Sequence, residues 1–127
     1  MARPPRDLTE RELEVMHVFW SRRQEATAQE VRDQLAETGV ELTYTTVATL
    51  VRNLHEKGFL AQVNPLRPFR FRAVRSFEDT SERFIGDLIE RVFRGSREQL
   101  FVRLLKHQKL TEAERALING ILGEQEP

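Results

Sequence analysis

"LTYTTVATLVRNLHEKGFL", residues 42–60, carries two features from which the rest of the chain can be read. At helical spacing, Tyr44, Val47, Leu50, Val51 and Leu54 gather on one side, the pattern of a helix laid on a core. The opposite side carries Thr45, Thr46, Thr49, Arg52, Asn53 and Glu56. A merely solvated face is usually built from Glu, Lys, Gln or Ala, which are strong helix formers. Threonine is a weak one, because branching at Cβ restricts χ1. A short, hydroxyl-rich face does allow a helix backbone to approach another surface closely. Thr43 is placed to cap this helix and Gly58 to end it as a left-handed C′ residue.

Upstream, two more helix starts are marked. In "LTERELEV" Thr9 and Glu12 form a capping box, with Leu8 and Leu13 as a hydrophobic staple; "TAQEVRDQL" repeats the box with Thr27 and Glu30. Downstream of Gly58 the period changes to two. Phe59, Ala61 and Val63 alternate with Leu60 and Gln62, and Phe69, Phe71 and Ala73 alternate with Arg70 and Arg72. "NPLRP" between them cannot continue a strand, so the segment predicts a β-hairpin with a packed face and a basic one.

Helix, helix, helix, hairpin is the order of a winged helix-turn-helix, in which the third helix enters the major groove. In that reading a recognition helix at about 43–57 offers Thr43, Tyr44, Thr45, Thr46, Thr49, Arg52 and Asn53, and a wing at about 59–74 offers Arg67, Arg70 and Arg72. Threonine hydroxyls and methyls can meet base edges, Arg52 can reach a guanine edge or a phosphate, and the wing arginines suit phosphates. The formal net charge is zero, but residues 42–75 hold six basic groups (Arg52, Lys57, Arg67, Arg70, Arg72, Arg75) against one acid, Glu56. A local cationic patch in a neutral chain favours a polyanion. The bland alternatives are surface drift and solubilising edge charges, and a winged-helix protein–protein adaptor without sequence-specific DNA binding is the competing function.

After Ser76 the pattern is helical again. Phe84/Ile85, Leu88/Ile89 and Val92/Phe93 recur every four residues until Gly95. Ser96 with Gln99 suggests a capping box for a helix bearing Leu100, Phe101 and Leu104; Thr111 with Glu114 suggests one for a last helix bearing Leu117, Ile118 and Ile121 and closed by Gly123. Such a piece is too small to stand alone, so its stripe predicts homodimerisation, with packing on the winged helix as the alternative. The expected fold is mainly α with a small β-hairpin wing: a winged-helix DNA-binding domain, 1–75, and a helical dimerisation domain, 76–127.

The same residues exclude much chemistry. There are no cysteines, which removes disulfides, thiolate metal sites and cysteine nucleophiles. His17, His55 and His107 are scattered: His17 reads as a packing residue and His107 as part of a polar loop. The six glycines are spread singly, with no phosphate-binding loop. No enzyme activity, cofactor or metal is expected. "MARPPRDLTE" lacks the apolar core of a signal peptide and no run approaches ~18 apolar residues, so a cytoplasmic protein without membrane insertion is expected.

"LTERELEVMHVFW", "TAQEVRDQL", "TYTTVATLVRNLHEKGFL" and "SFEDTSERFIGDLIERVFRGSREQLFVRLLKHQKLTEAE" resemble the penicillinase-repressor (BlaI/MecI) family of bacterial transcriptional regulators, from Leu8 to Leu122. The resemblance implies a winged-helix homodimer that represses by occupying a palindromic double-stranded operator, often with TACA and TGTA half-sites. It assigns recognition to Thr45, Thr46 and Thr49. Family members commonly have Arg where this chain has Asn53, one residue after its own Arg52. One branch is induced when a membrane-bound sensor protease triggers cleavage in the tail, between an Asn and a Phe; the matching bond here is Arg103–Leu104. Another branch binds copper through tail cysteines, which this chain lacks.

Overall fold

The structure, a computed structural model, describes residues 8–125. Its first helix, α1 (Glu10–Arg22), opens on the expected capping box: the Glu12 amide donates to Thr9 Oγ1 at 3.1 Å and the Thr9 amide to Glu12 Oε1 at 2.8 Å. A two-residue strand β1 (Ala26–Thr27) leads into α2 (Ala28–Glu37), where Thr27 and Glu30 repeat the box at 3.1 and 2.9 Å. The next helix is α3 (Tyr44–Glu56), capped by Thr43, followed by β2 (Leu60–Gln62) and β3 (Arg70–Ala73). Three helices then complete the described chain: α4 (Phe77–Arg91), α5 (Arg97–His107) and α6 (Glu112–Gln125). The fold is mainly α with a small wing, as the pattern implies.

The chain divides into two compact units within α4, the described part of the first running over 8–87 and that of the second over 88–125. The first owns the core. Val15, Met16 and Phe19 of α1 meet Val31 and Leu35 of α2 and Val47, Val51 and Leu54 of α3, closed by Phe59, Leu60 and Phe71. Phe84 of α4 packs against this cluster, and Trp20 Nε1 donates to the Arg75 carbonyl at 2.8 Å. Glu12, only 2% exposed, also meets Lys57 Nζ at 2.8 Å, so its carboxylate joins the start of α1 to the end of α3.

The sheet differs from a simple hairpin. Its order is β1-β3-β2, all antiparallel, with Ala26 opposite Phe71 and Thr27 opposite Arg70. β1 was not expected, and it covers the second edge of β3. In the wing proper Leu60 faces Ala73, Ala61 faces Arg72 and Gln62 faces Phe71. Opposed residues share a face, so Leu60 joins the Phe71–Ala73 side while Ala61 sits with Arg72. Ala61, expected in one packed row with Phe59 and Val63, therefore lies on the Arg72 side, while Phe59 is buried as expected. The reason is that Phe59 belongs to the helix end. Gly58, at φ +86°, is the C′ residue; its amide donates to the His55 carbonyl, and that of Phe59 to the Leu54 carbonyl at 2.9 Å.

Three helix ends also depart from expectation. Ser96 Oγ accepts from the Gln99 amide, but the Ser96 amide donates to the Phe93 carbonyl, so only half of that box forms. His107 is the last residue of α5 rather than part of a loop. Gly123 does not close α6, which continues to Gln125. A glycine stops a helix through a left-handed backbone, and Gly123 does not take one, unlike Gly58. The Thr111–Glu114 box forms completely, at 3.1 and 2.8 Å.

Candidate nucleic-acid interface

The outward face of α3 is organised from its first residue. Thr43 Oγ1 accepts from the Thr46 amide at 3.1 Å and donates to Thr46 Oγ1 at 2.9 Å. These two hydroxyls thus hold each other at the helix start. Thr45 and Arg52 are exposed, Thr49 and Asn53 half-buried, and no hydrogen bond or ion pair engages the Arg52 side chain among the described residues. Tyr44, expected on the core side, is 49% exposed and turns toward the wing. It is the first residue of α3, and burial on that side of the helix begins at Val47.

The wing arginines differ from one another. Arg72 is exposed opposite Ala61, with no charged partner among the described residues. The Arg67 guanidinium lies over the Phe69 ring, 4.9 Å from its centroid. Arg70 is held from within: Nη2 donates to the Glu25 carbonyl at 3.2 Å, and its nitrogens lie 3.5 Å from Glu25 Oε1 and from Glu30 Oε1. The Thr27 amide, with Arg70 and Arg22 nearby, holds the Glu30 carboxyl below its ordinary pKa of 4.5 against the opposing pull of desolvation. Lys57, counted in the cationic patch, is matched by Glu12. Outward charge is therefore carried chiefly by Arg52, Arg67 and Arg72.

Asn64 is a site residue that sequence reasoning missed, having read it only as a strand breaker. Its Nδ2 donates to the Leu66 and Pro68 carbonyls at 2.9 and 3.1 Å, and its Oδ1 accepts from the Arg70 amide. One side chain thus closes the wing turn and sets where Arg67 and Arg70 emerge; the available signal was an Asn directly before Pro65. His55, read from the sequence only as bordering Tyr44 on α3, also has a structural role. Its Nδ1 lies 3.0 Å from the Leu60 carbonyl, and its ring meets Phe71 at 5.8 Å, tying α3 to the wing. Between them is a recess of about 540 Å³, bounded by α3, the start of α2 and the wing.

The residues expected in a dimer contact lie on α4, α5 and α6, except Val92 and Phe93, which fall in the turn after α4 because that helix ends at Arg91, short of the expected Gly95. Phe84 is partly covered by the first unit's core, and Ile89, Phe93 and Leu100 are half-buried. Ile85, Leu88, Val92, Phe101, Leu104, Leu117, Ile118 and Ile121 are all exposed, Val92 and Leu117 each at 64%. Neither α5 nor α6 contains a buried residue. Arg103 and Leu104 fall inside α5. Among the described residues no His/Cys/Asp/Glu group is arranged to hold a metal ion, and no helix is long and apolar enough to cross a membrane.

A three-helix core, a short outward α3 face and a flanking wing define a winged-helix DNA-binding regulator. Residues 8–124 match the family described as Penicillinase repressor, and the chain belongs to that family. A solved structure described as the DNA binding domain of the repressor BlaI is 28% identical, with a TM-score of 0.51, covering 62% of this chain and 93% of that one. Two complex structures of hsRosR, with SG and with S4, share the fold at 14% identity, with TM-scores of 0.56 and 0.54. The first covers 96% of this chain and 95% of that one, the second 95% and 91%. No curated protein matches the chain. The protein is thus a transcriptional regulator of the repressor type.

Proposed function

We propose that this protein is a non-enzymatic repressor that occupies a palindromic double-stranded operator as a homodimer, reading each half-site with α3 and clamping the backbone with the wing. The observation that carries this reading is the Thr45–Thr49–Arg52 face, short-chained over its first two turns with its one acid, Glu56, at the far end, and flanked by Arg67 and Arg72. Thr45, Thr49 and Arg52 lie within about 60° on the helix, where base-edge contacts are each worth roughly 1–3 kcal/mol of discrimination. Arg72 suits a phosphate, which fixes register without reading sequence. Arg70, held by Glu25 and Glu30, contributes by positioning the wing.

The dimer reading is supported by the apolar side chains that α5 and α6 leave exposed. Two copies pairing through the tail would cover them and present two recognition helices to one palindrome. No cofactor is needed for such binding, and the site of action is the cytoplasm. If a sensor protease releases the operator at Arg103–Leu104, α5 must first unwind locally, because proteases take extended backbone.

The test is a competition titration between an operator selected from a randomised duplex pool and a scrambled duplex. Thr49→Ala and Arg52→Ala should weaken operator binding about tenfold or more while leaving scrambled binding and thermal stability nearly intact. Arg72→Ala should weaken both duplexes and reduce the salt slope by roughly one unit. A specificity ratio untouched by both α3 substitutions sinks the assignment of α3 as the reading helix.

A further inference from the structure

We propose that the recess between α3 and the wing binds a small organic anion with a flat aromatic body, and that this ligand competes with DNA for Arg52. The competition rests on the DNA-reading role of α3; the site itself does not. At about 540 Å³ the recess falls in the roughly 300–1,000 Å³ range of small-molecule sites. Its walls include Ala48 and Val51 of α3 and Phe69 and Phe71 of the wing. DNA presents phosphates and polar groove edges, and it gains nothing from an aromatic-lined hollow beside the reading face. Those walls suit an apolar ring.

The charge of the recess is one-sided. Arg52 and Arg67 both line it, and none of its lining residues is Asp or Glu, although the whole chain carries 20 acidic residues against 20 basic ones. Neither arginine has an ion-pair partner among the described residues. Stacking on Phe69 leaves the in-plane N–H groups of the Arg67 guanidinium available, and those groups take carboxylates bidentately. The aromatic wall is fixed, since the His55 imidazole is anchored at the Leu60 carbonyl and packs edge-on against Phe71. A recess with aromatic walls and two guanidinium groups that lack ion-pair partners among the described residues selects a planar anion over its neutral analogue. Because Arg52 stands on the border between the recess and the reading face, a bound anion withdraws it from DNA.

Calorimetry on the full chain without DNA, using 2-naphthoate and neutral 2-naphthamide as probes, tests the site. Naphthoate should bind roughly tenfold or more tightly than the amide. Arg67→Gln should remove most of that preference and leave amide binding unchanged, and Ala48→Phe, which fills the recess, should abolish binding of both. Should Ala48→Phe misfold, the Arg67→Gln comparison decides alone. Undetectable naphthoate binding at millimolar concentration, or a preference unaffected by Arg67→Gln, overturns the site. A mixed-sequence duplex at low salt is then titrated with and without saturating naphthoate. Duplex binding weakened by naphthoate supports competition, and unchanged binding overturns it. If the duplex fails to bind even without naphthoate, the DNA reading and the competition fall together, while the calorimetric result still decides the site.

Discussion

The helix starts of the two units carry the same local instructions and meet different fates. Thr27 with Glu30 and Thr111 with Glu114 form equivalent capping boxes, with amide-to-carboxylate distances of 2.9 and 2.8 Å. Yet α2 buries Val31 and Leu35 to 0% and 3% exposure, while α6 buries nothing. Capping and periodicity say where a helix begins and which side is apolar. Persistence depends on whether that side is covered, because isolated helices shorter than about 12–15 residues are marginal in water. The first unit finds its cover within the chain. The second leaves its apolar side chains exposed.

The sharpest way to break this contrast is to charge the uncovered face. Leu117→Asp with Ile121→Asp removes four apolar side chains from a dimer, each worth roughly 1.5–3 kcal/mol when buried. Sedimentation should shift from dimer to monomer and α6 helicity should fall, with the first unit's melting preserved. Unchanged sedimentation would show that this face is not the dimer contact. In the first unit, Phe19→Ala should cost about 3–5 kcal/mol in denaturant unfolding, independent of protein concentration. A concentration-dependent loss would mean that the core is not complete within one chain.

Lys57→Met should cost less, about 1–3 kcal/mol, since Glu12 at 2% exposure keeps the Thr9 amide but loses its cation. Chemical denaturation measures it. The smallest effect sharpens the comparison instead. Thr27→Ala should lower first-unit stability by about 1 kcal/mol, whereas Thr111→Ala should leave first-unit stability unchanged. Within the same capping box, Glu30→Gln carries a pH signature. Because the folded state lowers the pKa of Glu30, its contribution is fully present above the ordinary 4.5 and is lost as pH falls through the lowered folded value. The difference between wild type and Glu30→Gln should therefore narrow in acid, and a pH-independent difference would remove the Glu30 charge from the account.

Much of this was legible from residues one turn apart. Thr9/Glu12, Thr27/Glu30 and Thr111/Glu114 act over three residues, and Gly58 acts through its own backbone. What escaped was set by partners far along the chain. β1 is two residues long and too short to show a period; it exists because β3 passes beside it, some 45 residues later. Arg70 reads as a wing cation until Glu25 and Glu30 stand next to it, and Lys57 until Glu12 does. The phase of β2 was lost because Phe59 looks like a strand residue but serves the helix end. The outward threonines of α3 were readable for the opposite reason: their signal is a departure from ordinary helix composition.

The contact of Trp20 with Arg75 and Phe77 has a practical side. It is the chain's lone tryptophan, its indole hydrogen-bonded to the last residue before the α4 cap and meeting the Phe77 ring at 5.5 Å. The lone tyrosine, Tyr44, lies in the first unit as well. Indole fluorescence and near-ultraviolet dichroism are therefore dominated by the first unit, whereas far-ultraviolet dichroism sums the helices of both. Recorded on one unlabelled sample, the two spectral windows separate loosening of the second unit from melting of the winged helix, with no dye or tag introduced.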